Sequence, residues 1–508
     1  MGSAPSKATG PYMSMYPAPP LAPENEKLSA AAVRPERELE DRLQNLTIAA
    51  SAPRSLDGAL TASNISTWES TASAPVHAVT RAVLARTDVN ALQRREAHRA
   101  DHHTFNTVLD FKTGPIANQR GSGRCWLFAA TNVMRYPVMR KLNLDKFELS
   151  QNYLYFYDKL EKANYFLEQA ITFADVPLNS RLLSHLSTDL ISDGGQFDML
   201  INLIEKHGIV PQDVYPESFH SMLSAPMNTI LKTKIREHGL VLRQAVRQLR
   251  AQGLTDESVL AVTRAQKEKL MAETYRMLTA MLGVPMLADE AFTWSYHDKD
   301  GKYGQWTGTP KQFAKTFIGS QVSESISLIN DPRNAYSEAY TVTDMGNVWG
   351  GRPVVYVNTS AEMLKSLVVK MIKAGEPVFF GCDVLKHEDR FEGFLDLDLF
   401  EYEKAFDIKF PMNKAQRLEV GESIMTHAMV FTGVHLDEQG RAVRFKVENA
   451  WGTGVARQGW FTMGADWFEQ WVYQIVVPKR FVPAELVKAF ETGHRTEFKP
   501  WDPMGALA

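Results

Sequence analysis

Cys125 is the first residue whose type and setting could do chemistry, and it is one of only two cysteines in the chain. It follows the small residues Gly121-Ser122-Gly123 and opens Cys125-Trp126-Leu127-Phe128, which reads as the start of a helix. A thiol at the positive end of a helix dipole has a lowered pKa, and the thiolate is a strong nucleophile. The sequence therefore predicts a reactive thiol at Cys125. Cys382 follows the apolar run Val378-Phe379-Phe380 and is expected to be buried and inert.

A nucleophilic thiol needs a base, and the base needs a partner that orients it. His427 stands at the start of a predicted strand, and Asn449 stands at the end of the next one. Two adjacent antiparallel strands could bring the Asn449 amide to the second ring nitrogen of His427, while the indole of Trp451 shields that hydrogen bond from water. A lone histidine is more often a structural core residue. Together with Cys125, however, these residues predict a complete acyl-transfer site.

Gln119 lies six residues before Cys125. Its side-chain amide could act with the backbone N–H of Cys125 as the donor pair that binds a developing oxyanion. Losing one such donor typically costs on the order of 10²–10³ in rate. The spacing therefore predicts that Gln119 belongs to the same site as Cys125.

The elements that must position these residues are mainly helical in the first part of the chain and strand-rich after Pro332. Residues 125–143 read as a helix that Pro137 should kink or interrupt. Residues 148–171 carry an aromatic stripe at helical spacing, for which core packing is the expected role. Residues 222–282 read as a long amphipathic helical region. This order, helices first and strands second, predicts an α+β protein with a cleft between two layers.

Composition limits the functional class and the compartment. The net charge of −3 gives no bias towards nucleic acid or an anionic membrane, and no apolar run is long enough to span a bilayer. Two cysteines in 508 residues favour a reducing compartment, and the N-terminus lacks the apolar core of a secretory signal. We therefore expect a cytoplasmic protein, with a mitochondrial pool left open.

The first 62 residues are rich in Ala, Pro and Ser and are predicted to be mostly disordered, because they bury too little apolar surface to offset their ordering entropy. They begin with Met1-Gly2 and have Ser6, which fits the minimal pattern for N-myristoylation of Gly2. That pattern is short and often fortuitous. A lipid anchor at Gly2 and an unmodified N-terminus both stay open.

Several of these features together resemble the papain superfamily of cysteine peptidases. They are Gln119 six residues before Cys125-Trp126, His427 followed by a small residue, and Asn449-x-Trp451-Gly452. The runs around Cys125 and His427 and the tail Trp501–Ala508 are most similar to the intracellular bleomycin hydrolase or aminopeptidase C family, in a fungal-type form. The likeness covers about residues 66–508.

The resemblance implies a papain-like fold with a large helical insertion. The implied domains are 63–220 for the helical part of the core, 221–350 for the insertion, 351–490 for the β-rich part and 491–508 for an arm that enters the active-site cleft. Gly194 and Gly195 match the pair whose backbone binds the substrate main chain. The carboxylate of Ala508 would pair with the free amine of the substrate. No metal or organic cofactor is implied.

The implied function is a cysteine-type aminopeptidase that acts on peptides with broad specificity, with bleomycin-hydrolase and homocysteine-thiolactonase activity. The family assembles as a homohexamer whose active sites face an internal chamber. The alternative from another class is a DNA-binding regulatory protein with secondary peptidase activity. Its candidate surface is the mixed-charge helical region 231–282, although a solvated helix face is the simpler interpretation of that region.

Overall fold

The computed structural model describes residues 58–93, 103–109, 114–320, 322–492 and 494–507. Gly2 and Ala508, two positions to which the sequence assigns a role, lie outside these ranges. Residues 1–57, most of the predicted disordered extension, lie outside them as well. Within the described ranges, no helix is both long and apolar enough to cross a membrane.

Helices dominate the first half of the described chain. In chain order the α-helices are α1 (Ala62–Ala72), α2 (Pro75–Leu84), α3 (Cys125–Leu142), α4 (Gln151–Thr172), α5 (Arg181–Thr188), α6 (Phe197–His207), α7 (Phe219–Met222), α8 (Ala225–Ala251), α9 (Asp256–Leu282), α10 (Pro310–Phe313), α11 (Ala361–Lys373), α12 (Tyr402–Phe406), α13 (Lys414–Glu419), α14 (Ala465–Trp471) and α15 (Ala484–Thr492).

Strands dominate the second half. They are β1 (Thr107–Val108), β2 (Phe292–His297), β3 (Tyr303–Gly308), β4 (Ser325–Ile329), β5 (Ala339–Val342), β6 (Val355–Asn358), β7 (Val378–Cys382), β8 (Glu388–Asp389), β9 (Phe394–Leu395), β10 (His427–Leu436), β11 (Ala442–Glu448), β12 (Trp460–Gly464), β13 (Val472–Pro478) and β14 (Arg495–Phe498).

The strands other than β2 and β3 form one mixed sheet. Its order is β14-β5-β6-β4-β13-β7-β10-β11-β12-β9-β8, with β1 paired to β10. β10 runs antiparallel to both β7 and β11. His427 is the first residue of β10, and the pairing of Val430 with Glu448 brings the residue after β11 next to it. The sheet therefore makes the juxtaposition of His427 and Asn449 that the strand pattern predicts.

Helices α3 to α9 supply the helical layer. The aromatic stripe of α4 is confirmed as core, since Tyr153 and Phe156 are completely buried. α8 and α9 pack against each other and against α4. They are separate helices because Gly253 adopts a left-handed φ of +82° and the side chain of Thr255 caps α9 by accepting the N–H of Ser258.

The basic side chains of α8 and α9 are mostly bonded within the protein. The guanidinium of Arg243 donates to the carbonyls of Phe173 and Val176, at 2.6 and 2.5 Å. Lys267 pairs with Glu168 at 2.6 Å. Further internal contacts join Arg247 to Ala174, Arg250 to Asp175 and Arg264 to Glu168. These cations have partners within the protein, which fits a solvated helix face better than the basic groove that the DNA-binding alternative requires.

The α+β class is confirmed, and the structure refines two details. Pro137 does not interrupt helix α3, because residues on both sides of that proline are held in the core. The hairpin β2–β3 precedes the point where strands are expected to begin, and its signal is the alternation of bulky aromatic residues from Phe292 to Tyr296. β4 and β5 pair in the main sheet although they precede residue 350. The domain limits given above remain predictions.

Candidate active site

The start of α3 is held in place by a buried arginine. Arg124, the residue before the helix, donates to both carboxylate oxygens of Glu217, at 3.0 and 2.8 Å. Its guanidinium also lies over the rings of Phe128 and Tyr155, each 5.1 Å from the ring centroid. A bidentate pair that is also stacked fixes the chain direction better than a flexible lysine contact would. The position of Cys125, the first residue of α3, is fixed in consequence.

Asp193 ties the loop before Cys125 to the helical layer. Its Oδ2 accepts the backbone N–H of Gly123 at 3.1 Å, and its backbone carbonyl accepts the indole N–H of Trp126 at 2.7 Å. Four side chains complete its surroundings, namely Lys159, Tyr155, Ser224 and Asn228. These partners outweigh burial and hold the pKa of Asp193 far below its usual value. The carboxylate is therefore a permanently charged structural centre.

Gly194 and Gly195 lie against the residue that follows Cys125. The ammonium of Lys162 donates to the carbonyls of Ser192 and Gly194, both at 2.7 Å. A Cβ atom on Gly195 would lie 2.6 Å from the indole of Trp126, which is too close for any side chain. Glycine is required at this position because the backbone itself packs on the ring. Gly195 therefore lies against the residue that follows Cys125, and the binding of the substrate main chain by this pair remains a prediction.

His427 and Asn449 form a direct hydrogen bond. His427 Nε2 lies 2.9 Å from Asn449 Oδ1, and the same oxygen accepts the N–H of Ala450 at 2.7 Å. An oxygen that already accepts one N–H is the acceptor for the ring as well, so Nε2 carries the proton and Nδ1 is left as the basic nitrogen. Trp451 covers the pair, with its ring centroid 4.8 Å from that of His427.

The thiol of Cys125 reaches the start of β10. Cys125 is 3% exposed, and the backbone amides of Ala428 and Trp126 act on its thiol. Ala428 is the neighbour of His427 in β10, and α3 packs against β10. The fold therefore brings the start of α3 to the start of β10, although Cys125 and His427 are far apart in the sequence.

Burial dominates the acid–base properties of this pair. It raises the pKa of the Cys125 thiol to about 11. Burial also lowers the pKa of His427 to about 4, helped by the charge of Arg390 and opposed by the hydrogen bond with Asn449. The expectation of a lowered thiol pKa at the helix start is therefore wrong for this closed site, because loss of solvent outweighs the helix amides. Burial thus opposes the charged form of each group, and the two become charged together when the imidazole takes the thiol proton.

Gln119 is fixed next to the loop that leads to Cys125. Its Nε2 donates to the carbonyl of Ser122 at 2.8 Å, and its backbone N–H donates to the carbonyl of Ala450 at 2.8 Å. An amide nitrogen carries two hydrogens, and one of them is not needed for the Ser122 contact. The side chain is buried and can present that hydrogen to a substrate oxygen.

The C-terminal segment contacts the loop that carries Gly194 and Gly195. The side chain of Gln196, the residue after Gly195, donates to the carbonyl of Ala506 at 2.6 Å. Further back, Asp502 pairs with Arg333 at 2.9 Å, and the carbonyl of Met504 accepts a hydrogen bond from Tyr356. Hydrogen bonds and an ion pair therefore hold the C-terminal segment in place as far as Ala506. Ala508 lies outside the described residues.

The structure brings together Cys125, His427, Asn449 and Gln119, with Gly194 and Gly195 alongside. Such an arrangement can move the thiol proton to the imidazole, form a thioester and return the proton to a leaving amine. Other residues at the site escape sequence reasoning. Asp193 and Gln196 flank Gly194 and Gly195 in a run that signals a helix start but not its contacts, and Lys162 lies within α4, whose pattern predicts core packing. Arg390, which lies over Trp451, has no local sequence signal.

Comparison with known proteins agrees with this geometry. The sequence matches the model of the Peptidase C1-like family over residues 59–505. It is 40% identical over 422 residues to "Cysteine proteinase 1, mitochondrial" of Saccharomyces cerevisiae, covering 82% of this chain and 86% of the yeast protein. It is 43% identical over 410 residues to "Aminopeptidase C" of Lactobacillus delbrueckii subsp. lactis, covering 80% of this chain and 88% of that protein.

A solved structure shows the same fold. The crystal structure of PepW from Lactobacillus rhamnosis superposes with a TM-score of 0.83 at 39% sequence identity, covering 89% of this chain and 100% of the other. The family and the papain-like fold expected from the sequence are thereby confirmed. The chain accordingly belongs to the Peptidase C1-like family and is a papain-like cysteine peptidase.

Proposed function

We propose that this peptidase is a cysteine-type aminopeptidase that removes N-terminal residues from peptides of varied sequence. Cys125 is the nucleophile, His427 the base and then the acid, Asn449 the residue that orients the ring, and Gln119 an oxyanion donor. The names of the Lactobacillus relative and of the yeast relative support a peptide substrate. Bleomycin and homocysteine thiolactone are further substrates that the family resemblance suggests.

The reaction follows from the positions of these groups. The Cys125 sulfur attacks the carbonyl carbon of the first peptide bond while Nδ1 of His427 takes the thiol proton. The oxyanion that forms is stabilised by Gln119 and by the backbone N–H of Cys125. The C–N bond then breaks as His427 returns the proton to the leaving amine. Water, deprotonated by His427, hydrolyses the aminoacyl thioester and restores the thiol.

The contact between Gln196 and Ala506 is the observation that carries the restriction to N-terminal residues. It places the C-terminal segment next to Gly195, which is the side of Cys125 where residues before the cleaved bond would bind. We propose that this segment leaves room for about one substrate residue on that side. We propose that the carboxylate of Ala508 pairs with the free amine of that residue, which selects a free N-terminus.

The assembly and the compartment are also proposals. We propose a homohexamer with its active sites facing an internal chamber, on the strength of the family resemblance. A cytoplasmic location with a mitochondrial pool is consistent with the cysteine content and with the name of the yeast relative.

A pair of peptides with one sequence, one with a free and one with an acetylated N-terminus, tests the proposed function. The full chain should release single residues stepwise from the free peptide and leave the acetylated peptide intact. Deleting Leu507 and Ala508 should open the cleft, so that the acetylated peptide is cut internally. Product ladders read by mass spectrometry distinguish the two patterns. Internal cuts by the full chain, or an unchanged ladder after the deletion, would refute the restriction.

The two cysteines give a matched control for the nucleophile. Cys125→Ala should abolish release of aminoacyl-coumarin product, because no other group can form the thioester. Cys382→Ala removes a buried thiol that plays no part in the proposed reaction, and it should keep most of the activity. Activity that survives in Cys125→Ala would overturn the assignment.

A further inference from the structure

The leaving-group side of the site can be located from the chemistry. The proposed acid, His427, must donate its proton to the departing amine, so the peptide after the cleaved bond has to run past His427. Trp451 lies over that ring, with centroids 4.8 Å apart. The guanidinium carbon of Arg390 lies 4.6 Å from the centroid of Trp451. A departing peptide therefore meets Trp451 and Arg390.

The backbone that carries Arg390 is fixed. The carbonyl of Arg390 accepts the N–H of Ala456 at 2.9 Å. The preceding carboxylate, Asp389 Oδ1, accepts the N–H groups of Phe391 and Glu392 at 2.8 and 3.1 Å. Backbone contacts of this kind hold a short turn in one conformation. The side chain of Arg390 is thus presented from a rigid support.

The guanidinium of Arg390 keeps most of its hydrogen-bonding capacity. The side chain is 52% exposed, and its one ion pair to a described residue is the 3.4 Å contact with Glu388. A guanidinium has five N–H donors, and stacking on Trp451 leaves those at its edge available. Glu388 is mostly buried, and burial raises the pKa of its carboxyl group. The negative charge of Glu388 is therefore less favoured, and its ion pair with Arg390 is weaker. Asp389 and Glu392 are the acids on either side of Arg390 in the same turn, and Arg457 follows Ala456 as a second cation.

We propose that Arg390 is a specificity-determining residue that binds a carboxylate of the substrate on the leaving-group side. The carboxylate is either the C-terminus of a short peptide or an acidic side chain after the cleaved bond. This inference rests on the proposed function, because an aminopeptidase places nearly the whole of its substrate on that side. Short peptides and peptides with an early acidic residue are then preferred.

Matched substrates separate the two sources of carboxylate. The first pair is Ala-Ala-Phe with a free acid or an amide at its C-terminus. The second pair is Ala-Asp-Phe-amide and Ala-Asn-Phe-amide. Alanyl-coumarin has no carboxylate on the leaving side and reports the basal reaction. The enzymes are the full chain, Arg390→Gln, Arg390→Lys and the control Arg441→Gln. Arg441 is an exposed arginine in the hairpin at the far end of β10.

In the full chain, kcat/KM should favour the carboxylate member of at least one pair. Arg390→Gln should reduce that preference by about 5- to 20-fold, the range for a charge-assisted hydrogen bond at a half-exposed site. Arg390→Lys should retain part of the preference, and Arg441→Gln should leave it unchanged. Alanyl-coumarin reports any general effect that Arg390→Gln has on the reaction through His427, so each carboxylate preference is expressed relative to the alanyl-coumarin rate of the same variant.

Equal losses on the acid, amide and coumarin substrates would overturn the inference, since they would show an effect on the reaction in general. An unchanged preference in Arg390→Gln would overturn it as well. If the full chain cleaves neither peptide pair, the proposed function fails instead. The pair that responds to Arg390→Gln identifies the source of the carboxylate.

Discussion

The imidazole of His427 is held neutral by its surroundings. Burial is the main cause of its lowered pKa, and the positive charge of Arg390 adds to it. A base must be unprotonated to take the thiol proton, so activity is present above the pKa of His427 and disappears as the pH falls through it. The same group binds a proton more readily when the protein is unfolded. Acid therefore also destabilises the fold between the unfolded pKa of about 6.5 and the folded value.

We accordingly predict that the acidic limb of kcat/KM lies near pH 4. Arg390→Gln should move this limb to higher pH, because removing a nearby positive charge raises the pKa of His427. Initial rates on alanyl-coumarin between pH 3 and pH 8 measure both values. The amine of the substrate titrates near 8, so it limits the alkaline side and leaves the acidic limb to the enzyme. An acidic limb at 6.5 or above in the full chain would contradict the prediction.

At the level of residues, the sequence is a good guide to groups that recur at fixed spacing. Gln119 and Cys125 share one loop, and Asn449 and Trp451 share another, so a local pattern identifies each set. It is a poor guide to the charge environment. The rise in the pKa of Cys125 depends on how completely α3 and β10 close over the sulfur, and no local pattern records that closure.

Among the elements, the loop with Gly194 and Gly195 packs directly on the start of α3. The Gly195 backbone lies directly on the indole of Trp126. Any side chain at this point has to displace the indole, which is completely buried and bonded to the carbonyl of Asp193. Moving the indole would move Cys125 with it, since the two residues are consecutive in the helix.

We predict that Gly195→Ala lowers the free energy of unfolding by about 1–3 kcal/mol and reduces kcat by at least about 10-fold, because overpacking shifts the start of α3. Gly454→Ala is the matched control, since a Cβ atom there meets no neighbour within 4 Å. Denaturant unfolding and alanyl-coumarin assays measure the two effects. Equal behaviour of both variants would contradict the close packing of Gly195 on Trp126.

The long helices and the closing strands are predictable because their apolar periodicity extends over many residues. The division of residues 222–282 into α8 and α9 depends on one left-handed glycine, Gly253, and on the cap at Thr255. The course of α3 through Pro137 runs against local propensity, and packing on both sides decides it. Local signals therefore identify the elements, whereas contacts between elements set their ends.

At the scale of the whole molecule, the proposed hexamer gives a direct measurement. Sedimentation or native mass spectrometry should show a species of about 340 kDa, six copies of the 57.2 kDa chain. Cys125→Ala should give the same mass, because the nucleophile has no proposed role in assembly. A monomer or dimer at micromolar concentration would contradict the proposal.

The surroundings of Asp193 also bear on how far this enzyme could be simplified. Two of its hydrogen-bond donors, Ser224 and Asn228, lie at the start of α8. Two others, Gly123 and Trp126, lie on either side of the nucleophile Cys125. Deleting α8 and α9 to obtain a smaller, papain-sized enzyme would therefore remove two hydrogen-bond donors of Asp193. A shortened version would need other donors for that carboxylate, because otherwise the loop before Cys125 would lose the contact that holds it in position.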